Sequence, residues 1–402
     1  MTDASKATEP REVVLVRYGE IFLKGGNRGF FERRLAENAK RAIRSVPGAR
    51  IQRVHGRFLA WPGEGGARKL VKHLERVFGV HSISPARVVP RDLAAISETA
   101  VELARAEVAG GIKSFKVETR RSDKRFQPAS PEISRLVGAA VVGALGLPVN
   151  VHTPAFTIGV EVGFGDAFVF IDSPSGPGGL PVGVTGRVEL LLSGGIDSPV
   201  AGWLMLKRGC ELGATYFHSF PYTGEQSKEK VITLARKLAA WQLADIRLKV
   251  VDFTAAQKAL REASGDGRLA VVLYRRLMMK VAERIAIDAK AKTLVTGEAL
   301  AQVASQTLDN MTVIDAATTM PILRPCLAHD KQETIGIARR IGTYDTSILP
   351  YIDCCSLFVP EHPETRAKLA DVLACEARLD LEALTSACVA SAATVICTPS
   401  AG

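Results

Sequence analysis

Between Val188 and Pro199 the chain reads Val-Glu-Leu-Leu-Leu-Ser-Gly-Gly-Ile-Asp-Ser-Pro, an apolar run that stops abruptly on two adjacent glycines. An apolar-periodic stretch, Val200 to Lys207, follows at once. This order predicts a buried strand, a tight turn and a helix with proline in its first turn. Gly194 and Gly195 let the backbone approach an anion closely and turn its N–H groups towards it. The helix N-terminus adds roughly half a positive charge. Ser193 and Ser198 contribute short hydroxyl donors. The ligand chemistry that suits this turn is the pyrophosphate end of a nucleotide. A capped glycine turn with no ligand remains the plainer alternative.

No Gly-Lys-Ser/Thr follows, so the turn is not a Walker loop, and it does not match G-x-G-x-x-G. Ser-Gly-Gly-x-Asp-Ser resembles the loop of the ATP pyrophosphatase superfamily, whose members adenylate a substrate and release pyrophosphate. That resemblance implies a part for Asp197 in holding Mg²⁺, a hard cation that favours carboxylate and phosphate oxygens.

At 402 residues the chain is too long for one ordinary core, and two or three domains are expected. Apolar residues at 47% and charged residues at 23% describe a globular protein. No apolar run reaches membrane-spanning length and the first twelve residues are polar, so a cytoplasmic protein with no membrane contact is expected. The seven cysteines are Cys210, Cys326, Cys354, Cys355, Cys375, Cys388 and Cys397. An odd, sparse set without C-x-x-C excludes a disulfide framework and argues against a zinc ribbon or a cysteine-held iron–sulfur cluster.

The net charge of +10 is unevenly spread. Residues 1–180 hold 27 Lys and Arg against 18 Asp and Glu, whereas residues 181–402 hold 25 against 24. A basic leading half and a near-neutral second half suit a polyanion gripped by one part and modified by the other. In the basic half, the patterns predict a strand from Val13 to Arg17, a glycine-rich basic turn to Arg28, and a helix from Phe30 to Ser45. A strand from Arg57 to Trp61 and a helix from Ala67 to Val77 complete a small α+β unit. A second unit is expected from near Ser82, with a helix over 93–109, a strand over 114–118 and a helix over 133–145. Between the last two lies Arg120-Arg121-Ser122-Asp123-Lys124-Arg125-Phe126, a basic loop that could neutralise phosphates while Phe126 stacks on a base. A solvated surface loop would look the same.

From Ser173 to Gly186 the chain is rich in glycine and proline, as a linker is. Beyond it, strands over 188–192, 211–217, 246–251 and 293–296 alternate with helices over 199–208, 225–241, 254–264 and 268–289. That alternation predicts a doubly wound parallel sheet with ligands at the carboxyl ends of its strands. Tyr216, Phe217 and His218 end one strand and Thr296-Gly297-Glu298 follow another, positions suited to an adenine and ribose. His218 also suits a satisfied structural role, and Asp252 reads as a loop carboxylate or one adjacent to Mg²⁺.

In order along the chain, Arg17-Tyr18-Gly19-Glu20-Ile21, Lys116-Val117-Glu118-Thr119-Arg120-Arg121, Gly178-Gly179-Leu180-Pro181-Val182-Gly183, the glycine loop, Pro221-Tyr222-Thr223, Gly297-Glu298 with Gln302 to Thr307, and Asp353-Cys354-Cys355 resemble the tRNA 4-thiouridine synthetases. The resemblance covers almost the whole chain. It implies an α/β protein with a ferredoxin-like domain over 1–80, a THUMP RNA-binding domain over 81–173, a linker over 174–186, an ATP pyrophosphatase (PP-loop) domain over 187–385 and a short tail over 386–402. It further implies that Leu191, Leu192, Ser193, Gly194, Gly195, Asp197, Ser198, Tyr216, Phe217, Arg275, Gly297 and Gln306 bind ATP. Arg120, Arg121, Lys124 and Arg125 would bind RNA.

The reaction implied is adenylation of uridine O4 at the eighth nucleotide of tRNA and displacement of AMP by persulfide-derived sulfur, with Asp197 and Cys355 as the catalytic residues. Cys354 and Cys326 are alternatives as a resolving thiol or as core residues. Some relatives carry a C-terminal rhodanese domain; after Leu384 the sequence has no room for one, so sulfur is expected from a separate cysteine desulfurase or other persulfide donor. A thiamin sulfur-carrier protein and a homodimer are further expectations of the resemblance. An amidotransferase would need a glutaminase nucleophile, and no cysteine precedes Cys210. Another tRNA-modifying PP-loop enzyme, or a tRNA binder that has lost catalysis, would be told apart by RNA-dependent ATP–pyrophosphate exchange.

Overall fold

The computed structural model describes residues 11–54, 56–111, 113–171, 174–354, 357 and 360–399. They form two compact units, Met1–Gly179 and Leu180–Gly402.

The first unit runs β1 (Glu12–Tyr18), α1 (Arg28–Ala42), β2 (Arg50–Val54), β3 (Arg57–Trp61), α2 (Gly66–Leu74), β4 (Val80–Val89), α3 (Leu93–Ala109), β5 (Phe115–Arg121), α4 (Ser130–Leu145), β6 (Phe156–Val162) and β7 (Ala167–Ile171). All seven strands make one sheet in the order β2-β3-β1-β4-β7-β6-β5. The strand β4 is the reason. One edge of it pairs antiparallel with β1 from Val80 to Arg87, and its last four residues pair with β7. The two α+β units expected on either side of residue 80 therefore share a strand.

Local chemistry sets the helices. Asp92 caps α3 by accepting the Ala95 N–H at 2.9 Å, and Pro131 stands in the first turn of α4. Gly146, at φ 63°, ends α4 in the left-handed conformation glycine adopts freely. Ile133, Val137 and Val141 repeat at helical spacing on α4 and pack with Ile96, Ala100 and Ala104 of α3 over Phe115, Ile158 and Val160. The glycine-rich basic turn expected up to Arg28 is instead a 3₁₀ helix over Glu20–Asn27. Arg28 closes it by donating to Glu32 at 2.7 Å, and Tyr18 donates to the same carboxylate.

The second unit runs β8 (Gly186–Leu191), α5 (Asp197–Lys207), β9 (Cys210–His218), α6 (Glu225–Gln242), β10 (Ile246–Asp252), α7 (Thr254–Ala263), α8 (Ala270–Asp288), β11 (Leu294–Val295), α9 (Leu308–Asp315), β12 (Ile322–Leu323), α10 (Lys331–Arg340), α11 (Tyr344–Ser347), α12 (Leu369–Glu376), α13 (Leu381–Ala390) and β13 (Ala393–Cys397). Its sheet has the order β12-β11-β8-β9-β10-β13. Five strands are parallel, as the doubly wound pattern requires. The sixth, β13, pairs antiparallel with β10, Ile246 opposite Cys397. The tail expected over 386–402 is thus no appendage: its first residues finish α13, and 393–397 cover the sheet edge. Pairing that edge satisfies backbone groups β10 would otherwise leave open.

From β8 the chain winds outward through β9 and β10, then returns to lay β11 against the other side of β8. The crevice between the carboxyl ends of β8 and β11 is the topological switch point of the sheet, where open α/β folds bind ligands. Both glycine-bearing segments singled out from the sequence, 193–198 and 296–298, leave strands there. Among the described residues, no helix is long and apolar enough to cross a membrane.

Candidate functional site

The turn after β8 is held by its own hydroxyls. Ser193 N–H donates to Ser198 Oγ at 2.9 Å, Ser198 Oγ donates to Ser193 C=O at 3.3 Å, and Gly195 N–H donates to Ser193 Oγ at 3.3 Å. The helix begins at Asp197, two residues earlier than its pattern predicts, which places Asp197 and Ser198 in the first turn with Pro199. Leu191 and Leu192 are buried, and Leu192 N–H donates to Thr215 C=O at 2.9 Å. Gly297 explains itself by space. A Cβ there would run into the Ser198 amide and lie 2.6 Å from Ser198 Cα. Only a hydrogen lets the chain after β11 back against the start of α5.

Side chains from distant segments surround the turn. Asp197 takes Lys331 Nζ on both carboxylate oxygens at 3.0 Å and Gln302 Nε2 at 3.1 Å. Gly194 N–H donates to the Asp353 carboxylate at 3.0 and 3.2 Å. Burial pushes the Asp353 carboxyl up, while the Gly194 N–H and the Lys230 charge pull it down. Gln306 is buried, and its Oε1 has no hydrogen-bond partner among the described residues. A buried unpaired amide oxygen is costly and marks a place where a ligand donor fits. Arg275 pairs at 3.8 Å with Glu298, which is buried and also receives Arg324 Nε and Thr296 Oγ1 at 2.8 Å.

Tyr216 and Phe217 do not form two walls of one pocket. Consecutive strand residues point to opposite faces. Phe217 packs with Val251 and Phe253 in the apolar core, while the Tyr216 ring lies 5.8 Å from His218. His218 is buried, with Nε2 3.4 Å from Gly224 C=O, a structural placement. Asp252 accepts the Thr254 N–H at 2.9 Å in the turn that leads into α7, a local contact. Cys326 is fully buried with its thiol 3.8 Å from Asp197 C=O. Burial, with the Asp197 charge, pushes its thiol up to about 12, so it stays protonated at neutral pH. Cys354 is also buried. Cys355 lies outside the described residues.

In the first unit, Arg17, Arg57, Glu161 and Arg120 line a cavity of about 660 Å³. Glu161 receives Arg17 Nε at 2.7 Å and pairs with Arg57 through its other oxygen. Four strand spacings separate Arg57 on β3 from Glu161 on β6, further than two side chains reach across a flat sheet, so this face is concave. Burial, and then the neighbouring arginine charges, lower Arg17 and Arg57 to about 10, which still leaves both cationic. Five arginines line the hollow against two carboxylates, Glu118 and Glu161, and it is positive.

The basic segment is not a uniform loop. Arg120 and Arg121 end β5, in register with Glu161 and Val162. Arg120 is exposed and lines the cavity. Arg121 is spent locally, donating to the carbonyls of Phe126 and Pro128, the latter at 3.1 Å. Arg125 pairs with Asp123 at 3.1 Å, and the carboxyl of Asp123 is held down to about 2 by Arg125 and Arg91. Lys124 is exposed.

Sequence reasoning missed Lys331, Lys230, Gln302 and the acceptor role of Asp353. One signal was available. Asp330 and Glu333 form a capping box with both reciprocal bonds, which fixes the start of α10 at Lys331. A cation in that first turn opposes the helix dipole, so an anion beside it was to be expected.

The sequence matches the family described as thiamine biosynthesis protein (ThiI) over residues 183–381, the ThiI ferredoxin-like domain over 13–84 and the THUMP domain over 90–172. A protein of Moorella thermoacetica named "Probable tRNA sulfurtransferase" is 46% identical over 377 residues, covering 94% of this chain and 95% of its own. One of the same name from Halothermothrix orenii is 45% identical, covering 92% and 94%. The fold matches a crystal structure described as a 4-thiouridine synthetase–RNA complex with bound ATP, at TM-score 0.87 and 36% identity over 96% of this chain and all of the other. With its glycine turn at the switch point, its three matched domains and relatives this close along nearly their whole length, the chain belongs to the tRNA sulfurtransferase family.

Proposed function

We propose that this chain is an ATP-dependent tRNA uridine 4-sulfurtransferase that adenylates O4 of uridine 8 and replaces it with sulfur. The observation that carries this is the Ser193–Ser198 turn at the switch point, closed behind by Gly297 and reached by Gln302 through Asp197. Carbonyl oxygen leaves poorly, and its conversion to AMP supplies a good leaving group. Breaking the α–β phosphate bond builds charge on pyrophosphate. The amides of Gly194 and Gly195, the hydroxyls of Ser193 and Ser198 and the α5 dipole are preorganised to receive that charge.

A Mg²⁺ ion fits this donor set. No group of three or more His, Cys, Asp or Glu side chains able to hold a metal occurs among the described residues. Asp197, in the first turn of α5, offers a carboxylate of the kind through which Mg²⁺ commonly binds together with nucleotide phosphates, and the ion would neutralise phosphate charge there. Lys331 already balances Asp197 and supplies a second cation at the same place.

The RNA reading rests on the concave basic face of the first unit, with Arg120 as its exposed cation. Arg120→Ala is expected to weaken RNA binding and reduce the slope of affinity against salt by about 1, with ATP affinity unchanged. An unaltered slope in filter-binding titrations would remove Arg120 from the interface. Arg121→Ala acts differently, by freeing the Phe126 and Pro128 carbonyls it holds.

The sulfur must come from a persulfide, because a simple thiol would remain tethered to the base. Cys355 is assigned to carry that persulfide or to attack one, with a cysteine desulfurase or another persulfide protein as the donor. The family description names thiamine biosynthesis, which favours a second use of the sulfur there, with a thiamin sulfur-carrier protein as the proposed acceptor. The test is the 4-thiouridine content of bulk tRNA from a strain lacking the gene, complemented with wild type or Cys355→Ser. Thiouridine is expected to vanish on deletion and return only with wild type. Its persistence in the deletion strain would move the activity to another base.

A further inference from the structure

Residues 349–354 are stitched to two helices, α6 and α7, and to the phosphate turn. Lys230 Nζ donates to Leu349 C=O at 2.8 Å, Ser227 Oγ to Ile352 C=O at 2.9 Å and Gln257 Nε2 to Cys354 C=O at 2.8 Å. The fourth tie is different in kind. The Asp353 carboxylate accepts the Gly194 N–H, an amide that the nucleotide reading assigns to pyrophosphate. A carboxylate on a glycine-loop amide occupies the place and bears the charge of a phosphate oxygen.

The space there is tight. A Cβ on Gly194 would lie 3.1 Å from Asp353 Oδ1 and 3.2 Å from Lys230 Cδ. A phosphate approaching the amide from this side meets the carboxylate, and two anions cannot both take one N–H. Lys230 is buried beside them, where it offers its charge to either.

We infer that Asp353 is an internal stand-in for pyrophosphate, holding Gly194 N–H in the nucleotide-free chain and leaving it when the phosphates bind. This rests on the turn being a pyrophosphate site. Occupancy of the turn is thereby transmitted to the segment that leads directly into Cys355, which makes Asp353 a positioning residue. Adenylation chemistry and the sulfur-bearing segment are coupled through one exchangeable hydrogen bond. The three remaining ties are side chain to backbone and keep the segment in place after the fourth is released.

The test uses the full chain and inorganic pyrophosphate. Asp353→Asn keeps the shape and an acceptor but removes the charge. It is expected to bind pyrophosphate about tenfold more tightly than wild type by calorimetry, because the competing anion is gone. Asp353→Ser is expected to act in the same direction. Hydrogen exchange supplies the readout that a merely structural role would not move. In wild type, pyrophosphate should slow exchange over 193–198 and speed it over 349–354; in Asp353→Ser, whose shorter side chain gives up the Gly194 bond, exchange over 349–354 is fast without ligand. Weaker or equal binding by both variants would overturn the inference and make Asp353 a ligand-side group. Wild type that binds neither ATP nor pyrophosphate would instead remove the nucleotide reading, and the inference with it.

Discussion

Gly297→Val is expected to cut RNA-dependent ATP–pyrophosphate exchange by about 100-fold or more while far-UV circular dichroism stays unchanged. The position needs glycine for room, since its neighbours are the backbone atoms of Ser198 and Asp197 rather than the far end of a flexible side chain. Backbone at a helix start cannot step aside alone, so a branched side chain moves the first turn of α5 as a body. Displacing positioned donors by about 1 Å costs on the order of a hundredfold in rate. Gly297→Ala should fall between the two. Gly336→Ala, on α10 with nothing within 4 Å of its Cβ, is the control and should exchange as wild type does. Exchange within about threefold of wild type in Gly297→Val would show that the turn is not set by this contact.

Glu376→Ala is expected to be the most damaging single change to the stability of the second unit. Arg276 is 2% exposed and Glu376 6%, and their side chains form two parallel bonds at 2.6 and 2.9 Å. Arg276 also donates to Val313 C=O at 2.5 Å, so α8, α9 and α12 meet on one guanidinium. Removing one partner of a buried pair leaves an uncompensated charge and costs about 3–5 kcal/mol. In a unit of this size that lowers the melting temperature by about 10 °C. Arg276→Met combined with Glu376→Leu should recover most of the loss, because no charge is then stranded. A double variant as unstable as the single one would show that packing, not charge, is what Glu376 supplies.

Much of the second unit could be read from the sequence because its elements are long, periodic and buried. The helix expected over 225–241 is Glu225–Gln242, and the strand expected over 246–251 is Ile246–Asp252. What escaped was pairing across the chain. Asp197 with Lys331 and Gly194 with Asp353 join residues more than a hundred positions apart, and beyond the capping box that sets Lys331 at a helix start no local pattern marks either pairing. The pairing of β13 with β10 is of the same kind, its residues small and weakly patterned. The shared strand β4 was obscured by Pro85, which reads as a strand breaker. Pro85 is tolerated because the ladder with β7 starts only at Ala86. Tyr216 and Phe217 are a different case, since strand alternation alone would have set them on opposite faces.

The continuity of β4 bears on how the first unit can grip a polyanion. Two modules on a flexible tether bind with an effective concentration that depends on tether length, and some of the second module's affinity is lost in closing the loop. Here no tether intervenes between Arg17 and Arg57 on one side and Arg120 on the other, because a hydrogen-bonded ladder fixes their spacing. Their contributions to binding act as those of a single rigid gauge, fitted to one spacing of phosphates and unforgiving of others.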